Sequence, residues 1–302
     1  MSVVRAAGVL LAALLAVAPA RAAGPCTVVL GTAQDGGVPQ AGCTKDCCAH
    51  GRHAAVSSLA LVDPAAKRWW LFDATPDVGE QLARMRTLAP ACSLAGVFVT
   101  HAHIGHYAGL MHFGREVMGT HDVPVWTMPR LRDYLTTNGP WSQLVRLRNI
   151  ALQPLAADST VTLGDSLRVT PFRVPHRDEY SETVGFRIEG PHGVTVYLPD
   201  IDKWERWDRS IDDVIADATT AYLDGTFFDA AELPGRDMRE IPHPFIVESL
   251  TRFAALPPTA RARVRFIHLN HTNRAALRGS RERLQVEAAG AHVAAAGEVR
   301  EL

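Results

Sequence analysis

Phe98-Val99-Thr100-His101-Ala102-His103-Ile104-Gly105-His106 is the stretch with the strongest local signal in this chain of 302 residues. An apolar strand leads into a turn, and imidazole side chains follow in close succession. Neutral imidazole is a common zinc ligand, and a catalytic zinc site has three protein ligands and one open position. In an extended segment His101 and His103 point the same way and can reach one ion, whereas His106 follows the turn and faces a second position. A polar loop with chance histidines is the alternative, which this spacing behind a buried strand disfavours.

Side chains of metal-ligand type also stand at the ends of other predicted strands. His176 follows one apolar segment and Asp200 follows another. His268 and His271 come directly after Phe266-Ile267. Each residue alone fits an ordinary role, such as a capping aspartate or a half-exposed histidine. Their recurrence favours a metal site, because such sites are assembled from loops at one edge of a rigid sheet.

Strand and helix patterns alternate along the whole chain. Strands are predicted at residues 27–30, 57–62, 69–72, 96–100, 123–127, 167–174, 183–188, 194–198, 222–223 and 264–269, and near residues 150 and 161. Helical spacing covers residues 77–87, 130–138, 211–216 and 244–253. This mixture indicates an α/β or α+β core whose sheets are covered by helices. Since no repeat, linker or break in composition interrupts it, we predict a single domain over residues 23–302.

The N-terminus has the layout of a cleavable secretory signal. Arg5 provides a positive start, a short apolar run covers residues 9–17, and Ala20-Arg21-Ala22 matches an Ala-x-Ala cleavage pattern. The run is too short for a permanent transmembrane helix, and an uncleaved anchor is the alternative. We expect a signal peptide at residues 1–22, a periplasmic or secreted mature protein, and no membrane association after cleavage.

The charge balance limits the choice of partner. Lys and Arg number 31 against 32 Asp and Glu, which gives a net charge of -1 at pH 7. Such a balance argues against broad electrostatic binding to nucleic acid or anionic lipid. We expect a small-molecule substrate and no nucleic-acid partner, and the sequence leaves a homodimer open.

Cys43, Cys47 and Cys48 share one loop. In an exported chain the ordinary interpretation is a disulfide framework. Cys47 and Cys48 are adjacent and do not easily bridge each other, so a disulfide would join one of them to Cys43 or Cys26. A structural zinc is the other interpretation, because three thiolates and a histidine form a well-known tetrahedral ligand set.

The order His-x-His-x-x-His, His, Asp, His resembles the metallo-β-lactamase superfamily. Asp73 in Leu71-Phe72-Asp73-Ala74-Thr75 matches the buried aspartate of that superfamily's first motif. The resemblance implies an α+β fold, a four-layer αβ/βα sandwich in which two mixed β-sheets are covered by helices. It also implies ligand roles: His101, His103 and His176 for a first ion, Asp200 as a bridge, and His106 and His268 for a second ion.

One departure from the superfamily concerns Gly105. Members of the superfamily carry there an aspartate that binds the second ion. The glycine weakens the case for a firmly held second metal. The resemblance is therefore compatible with one or two Zn²⁺ ions in the active site, and Mn²⁺ is an alternative.

Within the superfamily, Leu30-Gly31-Thr32-Ala33-Gln34-Asp35-Gly36-Gly37-Val38-Pro39-Gln40 is similar to the opening of the pyrroloquinoline quinone biosynthesis protein B family. The cysteine loop also resembles that of the phosphodiesterases of phosphonate breakdown. Those enzymes pair such a loop with a histidine three residues beyond the last catalytic one, a position that His271 occupies here. The resemblance favours a structural zinc held by Cys43, Cys47, Cys48 and His271 over a disulfide.

The resemblance implies a metal-dependent hydrolase, because a zinc-type ion supplies hydroxide at neutral pH. A phosphodiester or related ester is the expected substrate. Asp200 would orient the water, Asp35 or Asp178 would serve as base, and His243 would match a loop histidine near the substrate. A residue at a helix start is an equally simple interpretation of His243. The alternative function, favoured by Gly105, is a non-hydrolytic protein that binds or matures a small molecule such as a quinone cofactor.

Overall fold

Apolar strands with alternating side chains form two sheets in the computed structural model, which describes residues 24–49, 51–237 and 240–302. The predicted signal peptide at residues 1–22 lies outside the described residues. One seven-stranded sheet contains β1 (Cys26–Gly31), β2 (Ser58–Asp63), β3 (Arg68–Phe72), β4 (Ser93–Phe98), β5 (Val123–Thr127), β6 (Ile150–Pro154) and β14 (Val299–Glu301). Its strand order is β14-β1-β2-β3-β4-β5-β6. The strands from β3 to β6 pair in parallel and the others antiparallel, so the sheet is mixed.

The second sheet also has seven strands, all of which lie between β6 and β14 along the chain. It contains β7 (Val161–Leu163), β8 (Leu167–Arg173), β9 (Val184–Glu189), β10 (Val194–Leu198), β11 (Thr220–Asp224), β12 (Val264–Ile267) and β13 (His292–Val293). Its order is β13-β12-β11-β10-β9-β8-β7. The strands from β10 to β13 pair in parallel and the rest antiparallel, so this sheet is mixed as well.

Alternation along the strands builds three apolar cores, since successive side chains of a strand point to opposite faces. In β3, Trp70 and Phe72 pack into the core between the two sheets, whereas Trp69 and Leu71 face the helices outside the first sheet. In β10, Tyr197 faces the core between the sheets, and its neighbours face the outer core of the second sheet. The two sheets therefore form the inner layers of a four-layer sandwich, which confirms the predicted α+β architecture.

Helices cover both outer faces. They are α1 (Val78–Leu88), α2 (Ile104–Tyr107), α3 (Pro129–Thr137), α4 (Trp141–Arg146), α5 (Ile211–Val214), α6 (Ile246–Phe253), α7 (Pro258–Arg261) and α8 (Arg281–Ala288). α1, α3 and α4 pack on the first sheet, and α5, α6 and α8 pack on the second. Within the described residues, none of these helices combines the length and the apolar character that spanning a bilayer requires.

The strands that lead to the predicted ligands run in one direction within each sheet. β1, β3 and β4 share a direction in the first sheet, because β2 is antiparallel to both of its neighbours. β8, β10, β11 and β12 share a direction in the second sheet, because β9 is antiparallel to β8 and β10. Their carboxyl ends therefore open toward one edge of the sandwich, where loops can bring distant side chains together.

Candidate metal centre

The carboxylate of Asp200, just beyond β10, lies at the centre of the histidine cluster. Its Oδ2 atom is 3.2 Å from Nε2 of His176 and 3.3 Å from Nε2 of His101. The same oxygen is 3.9 Å from Nδ1 of His103 and 3.8 Å from Nε2 of His106. One atom each of His101, His103, His176 and Asp200 lies within 4.8 Å of every other in this group. The predicted first ligand set and its bridging carboxylate are thus brought together.

A second group lies beside the first. His106 follows the turn at Gly105, His268 follows β12, and Asp35 belongs to the loop after β1. Oδ1 of Asp35 is 3.4 Å from Nε2 of His106 and 3.5 Å from Nε2 of His268. The two groups are joined through His106, whose Nε2 also approaches Asp200.

Buried polar atoms at this place have no hydrogen-bond partner among the described residues. They are Oδ1 of Asp35, Nε2 of His101, Nε2 of His106, Oδ1 of Asp200 and Nε2 of His268. Leaving a buried polar atom unpaired costs about 1–3 kcal/mol, and more for a charged group, so five in one place require a common cause. A cation that accepts electron pairs from nitrogen and oxygen would satisfy all of them. The residues present therefore fit a metal ion, while their roles as ligands stay predictions.

Outer hydrogen bonds fix the orientation of the rings. Oδ2 of Asp73 lies 2.8 Å from Nδ1 of His106, and Oδ1 of Asp73 accepts from the backbone N–H of Thr100 at 2.8 Å. Asp202 Oδ1 lies 3.1 Å from Nδ1 of His176, and Thr226 Oγ1 lies 3.0 Å from Nδ1 of His268. The three bonds to histidine engage Nδ1 and leave Nε2 directed to the cluster, the arrangement typical of metal-ligating histidine.

Two residues of this framework hold a left-handed backbone conformation. Asp73 has a φ of 67° and His268 a φ of 62°. Non-glycine residues adopt this region at a cost of about 1–3 kcal/mol and do so most often at functional sites. Both residues are fully buried and hydrogen-bonded, so the surrounding packing holds them in place.

The charges of the cluster shift the titration of its members. Burial alone would raise the pKa of Asp200, but the charges of His176 and His243 hold it well below its ordinary range. Burial would lower the pKa of His176, whereas the Asp200 carboxylate raises it to about 9. Burial and the neighbouring charge of His106 lower the pKa of His101 well below its usual value. In the metal-free cluster an ionised Asp200 therefore faces a protonated His176 and a neutral His101.

His243 lies beside the cluster, next to the other carboxylate oxygen of Asp200. Its Nδ1 is 3.2 Å from Oδ1 of Asp200 and 2.8 Å from Oδ2 of Asp224. Burial would lower the pKa of His243, but these two carboxylates raise it well above its ordinary value. The predicted proximity of His243 to the site is realised, although it also lies close to the start of α6. Asp224 is a member that the sequence interpretation missed, although it ends β11 as Asp200 follows β10.

Glu179 and Asp202 are further contacts that the motifs did not reveal. Glu179 Oε2 lies 2.9 Å from Nε2 of His103, and Asp202 follows Asp200 by two residues. Asp178, the alternative base, lies outside the cluster. Its Oδ1 accepts from Thr183 Oγ1 at 2.9 Å, and its Oδ2 lies 3.6 Å from an Arg173 nitrogen.

The cysteine loop forms a separate group with His271. One ligand atom each of Cys43, Cys47, Cys48 and His271 lies within 4.8 Å of the others. The Sγ atoms of Cys43 and Cys47 are 4.0 Å apart, about twice the length of a disulfide bond. Nδ1 of His271 lies 2.8 Å from the side-chain oxygen of Asn270, which leaves Nε2 as the free ring nitrogen. This geometry fits the predicted structural zinc better than the disulfide alternative.

Comparisons with known proteins agree with this geometry. A family model described as the Beta-lactamase superfamily domain matches residues 68–269. A relative named Coenzyme PQQ synthesis protein B, from Ruegeria pomeroyi, is 29% identical over 300 residues, which cover 88% of this chain and 96% of that protein. A protein of the same name from a Methylobacterium species is 29% identical over 298 residues with the same coverage. The family match confirms the superfamily, and the similarity to these relatives supports the branch that the motifs indicated.

Solved structures show the same fold. Zn²⁺-bound PqqB from Methylobacterium extorquens superposes with a TM-score of 0.74 at 24% identity, covering 92% of this chain and 100% of that one. A diphosphatase of the PhnP family gives a TM-score of 0.64 at 19% identity, covering 92% and 97%. At these identities the likeness concerns the fold, and the chemistry has to be argued from the residues of this chain.

Proposed function

Because the chain belongs to the β-lactamase superfamily, we propose that it is an exported metal-dependent hydrolase that cleaves a phosphodiester or related ester of a small molecule. The convergence of three imidazole nitrogens on one buried oxygen of Asp200 carries this proposal. Next to this oxygen, the buried Nε2 atoms of His101 and His106 have no hydrogen-bond partner among the described residues, a cost that a bound cation would remove. The similarity in fold to a Zn²⁺-bound protein supports zinc as that cation.

We assign His101, His103, His176 and Asp200 to the first ion, with one or two zinc ions in the site and Mn²⁺ as an alternative metal. When bound, such an ion lowers the pKa of water to about 7 and so supplies hydroxide at neutral pH. Asp200 would orient that water. Asp202 and Thr100 keep the ligand rings of His176 and His101 in position.

His243 would act on the leaving group. Its Nδ1–H donates to Oδ2 of Asp224, Oδ1 of Asp200 lies 3.2 Å from the same nitrogen, and both carboxylates favour the charged ring. Nε2 of that imidazolium then carries a proton it can donate to a developing oxyanion. A positioned acid of this type contributes typically 10²–10⁴-fold to a rate. The role requires protonation of His243 in the working enzyme.

The cysteine loop would hold a separate structural zinc through Cys43, Cys47, Cys48 and His271. Burial and the adjacent thiolates raise the pKa of Cys47 to about 11. Crowded thiols cannot all ionise without a cation among them, and zinc supplies that charge. Only the neutral form of His271 can be a ligand, and burial with the charges of Lys45 and Arg52 lowers its pKa.

The sequence supports proposals for the cellular location, the substrate class and the oligomeric state of the enzyme. The signal pattern at residues 1–22 supports a periplasmic or secreted enzyme without a membrane anchor. The net charge of -1 supports a small-molecule substrate over nucleic acid. A homodimer is compatible with both features.

The test is hydrolysis of bis(p-nitrophenyl) phosphate by purified mature protein, with metal content measured on the same samples. We expect activity that a chelator abolishes and zinc restores. His101→Ala should lose at least about 100-fold in rate, because changes to outer partners of metal ligands already cost 10–100-fold. His121→Ala is the matched control, since its side chain is 74% exposed and its ion pair is with Asp122. Equal rates for His101→Ala and the parent would refute the proposal.

A second function is favoured by the relatives named Coenzyme PQQ synthesis protein B, which cover 88% of this chain. In that case the metal-loaded protein binds or matures a quinone-type molecule without hydrolysing esters. Fully metal-loaded protein that is inactive on a panel of phosphodiesters and carboxylic esters, yet binds a quinone in a calorimetric titration, would support this function instead.

A further inference from the structure

The loop after β1 brings a carboxylate to the second histidine pair. Oδ1 of Asp35 lies 3.4 Å from Nε2 of His106 and 3.5 Å from Nε2 of His268. All three atoms are buried and lack a hydrogen-bond partner among the described residues. Three such atoms facing one another indicate a common ligand, because each of them can donate an electron pair to a cation.

Gly105 makes room for this carboxylate. A Cβ atom on Gly105 would lie 2.1 Å from Oδ1 of Asp35 and 2.7 Å from its Cα. Distances under 3.0 Å are not tolerated between such atoms. A side chain at position 105 and the Asp35 carboxylate therefore exclude each other in this backbone arrangement.

The Asp35 loop is fixed by the backbone independently of any ion. The N–H of Gln34 donates to the carbonyl of Leu269 at 2.9 Å, and the N–H of Leu269 donates to the carbonyl of Thr32 at 2.8 Å. The N–H of Gly37 closes the turn on the carbonyl of Gln34 at 2.8 Å. These bonds tie Asp35 to the residue that follows His268, so the carboxylate is positioned in advance.

We infer that Asp35 replaces the aspartate absent at position 105 and completes a second metal site with His106 and His268, a site that Asp200 joins to the first. The inference rests on the proposed function only in assuming that the first site binds metal. It reverses the expectation that Gly105 weakens the second site, because the carboxylate is supplied from another loop. Oxygen and nitrogen ligands of this kind suit zinc and also manganese.

The experiment counts ions in Asp35→Asn, which keeps the shape of the side chain and removes its charge. Metal-free protein is titrated with Zn²⁺ against a competing chelator, and bound equivalents are measured by elemental analysis. We expect Asp35→Asn to lose one equivalent relative to the parent or to bind it at least tenfold more weakly. Asp212→Asn is the matched control, because its side chain is 30% exposed against 28% for Asp35 and lies on the outer helix α5.

Mn²⁺ provides a readout that does not depend on activity. Two neighbouring Mn²⁺ ions give a spin-coupled electron paramagnetic resonance signal, whereas a single ion gives an isolated one. The parent should show coupling and Asp35→Asn should show isolated ions. Unchanged coupling and an unchanged number of equivalents in Asp35→Asn would overturn the inference, as would a parent that binds only one ion outside the cysteine loop.

Moving the carboxylate from position 35 to position 105 tests directly whether the two positions can replace each other as the source of the ligand. Gly105→Asp alone should lose the second ion because its Cβ overlaps Asp35. Adding Asp35→Gly should recover at least part of the lost equivalent, with a small shift of the turn around the remaining backbone contact. Circular dichroism checks that each variant folds. If the double variant does not fold, the metal count of Asp35→Asn alone tests the inference. Failure of the parent to bind any ion in the histidine cluster would instead reject the proposed function.

Discussion

At the scale of single residues, one carboxylate oxygen organises the candidate centre. Oδ2 of Asp200 lies within 4 Å of nitrogen atoms from four histidines, three of them in the turn after β4 and the fourth, His176, from a distant loop. Without an ion, Asp200 favours the protonated forms of His176 and His243, whereas Nε2 of His101 and of His106 has no hydrogen-bond partner among the described residues. Metal ions bind only the deprotonated nitrogen, so binding has to release those protons.

The replacement of a proton by a metal ion can be measured at His176. Asp200 opposes the effect of burial and raises the pKa of His176 to about 9, so at pH 7.5 its ring is protonated in the metal-free protein and neutral in the metal complex. We therefore expect zinc affinity to rise with pH by about tenfold per unit below pH 9 for each proton released. Competition titrations between pH 6.5 and 8 would measure the slope. Asp202→Asn, which removes the partner of Nδ1, should bind zinc more weakly and with a shallower slope. An affinity independent of pH over this range would contradict the prediction.

At the same scale, the sequence revealed the histidines together with Asp73 and Asp200, but not the other acidic partners. Three histidines within one turn form a recognisable pattern, and His268 and Asp200 stand directly after apolar strands. Asp224, Asp202 and Glu179 have no such local signal, because an aspartate or glutamate in a loop is ordinary. Asp35 was considered only as a base, since its distance to His106 depends on how the β1 loop packs against β12.

At the scale of elements, the cysteine loop has few apolar contacts that could fix its position. The short 3-10 helix at Asp46–Cys48 has no buried residue. Its thiols lie next to His271, which follows β12. Because this helix has no buried residue, the proposed structural zinc would supply much of what holds the loop against the strand end.

Cys48→Ser should therefore lower the melting temperature by about 10 °C and remove one zinc equivalent. The size follows from about 4 kcal/mol for a ligand at a thousandfold excess over its Kd and from 2–4 °C per kcal/mol for a domain of this size. Thr44→Ala, an exposed position in the same loop, should change neither quantity. A chelator-insensitive melting curve, together with fewer free thiols under denaturing conditions than reduced protein has, would point to a disulfide instead.

Elements with a strong apolar pattern were predictable and the others were not. Helix α1 was expected at residues 77–87 and occupies Val78–Leu88. Helix α8 was missed because only Val286 of it is buried, so it carries no apolar stripe. Strand β4 ends at Phe98 and not at residue 100, because the N–H of Thr100 bonds to the Asp73 carboxylate and not to a neighbouring strand. Strand β14 is short and polar, and pairing with β1 alone defines it.

At the scale of the whole molecule, the core between the two sheets determines how far apart the strand ends of one sheet lie from those of the other. The candidate metal ligands stand at these strand ends. Phe98 is fully buried in this core, with ring centroids 5.0 Å from Phe72 and 4.5 Å from Trp126. It also ends the strand that leads to His101. Packing at this position therefore couples the stability of the sandwich to the geometry of the centre.

Phe98→Ala should reduce the free energy of unfolding by about 3–5 kcal/mol, the usual cost of removing a buried aromatic ring. Zinc affinity should fall as well, because the end of β4 loses its support. Phe98→Leu retains most of the volume and should cost clearly less on both measures. Urea denaturation of metal-free protein and a zinc titration give the two quantities. Full stability with the alanine variant would mean that the core does not hold the sheets in register.

The path of the chain through the two sheets has a consequence for assembly. The chain builds the first sheet up to β6, crosses through residues 155–160 to build the second, and returns only with β14. The part before the crossing carries Asp35, His101, His103 and His106, and the part after it carries His176, Asp200 and His268. Neither part alone has a full set of donors. An ion bound at the centre would therefore link the two parts of the chain. Its binding energy then contributes directly to their docking.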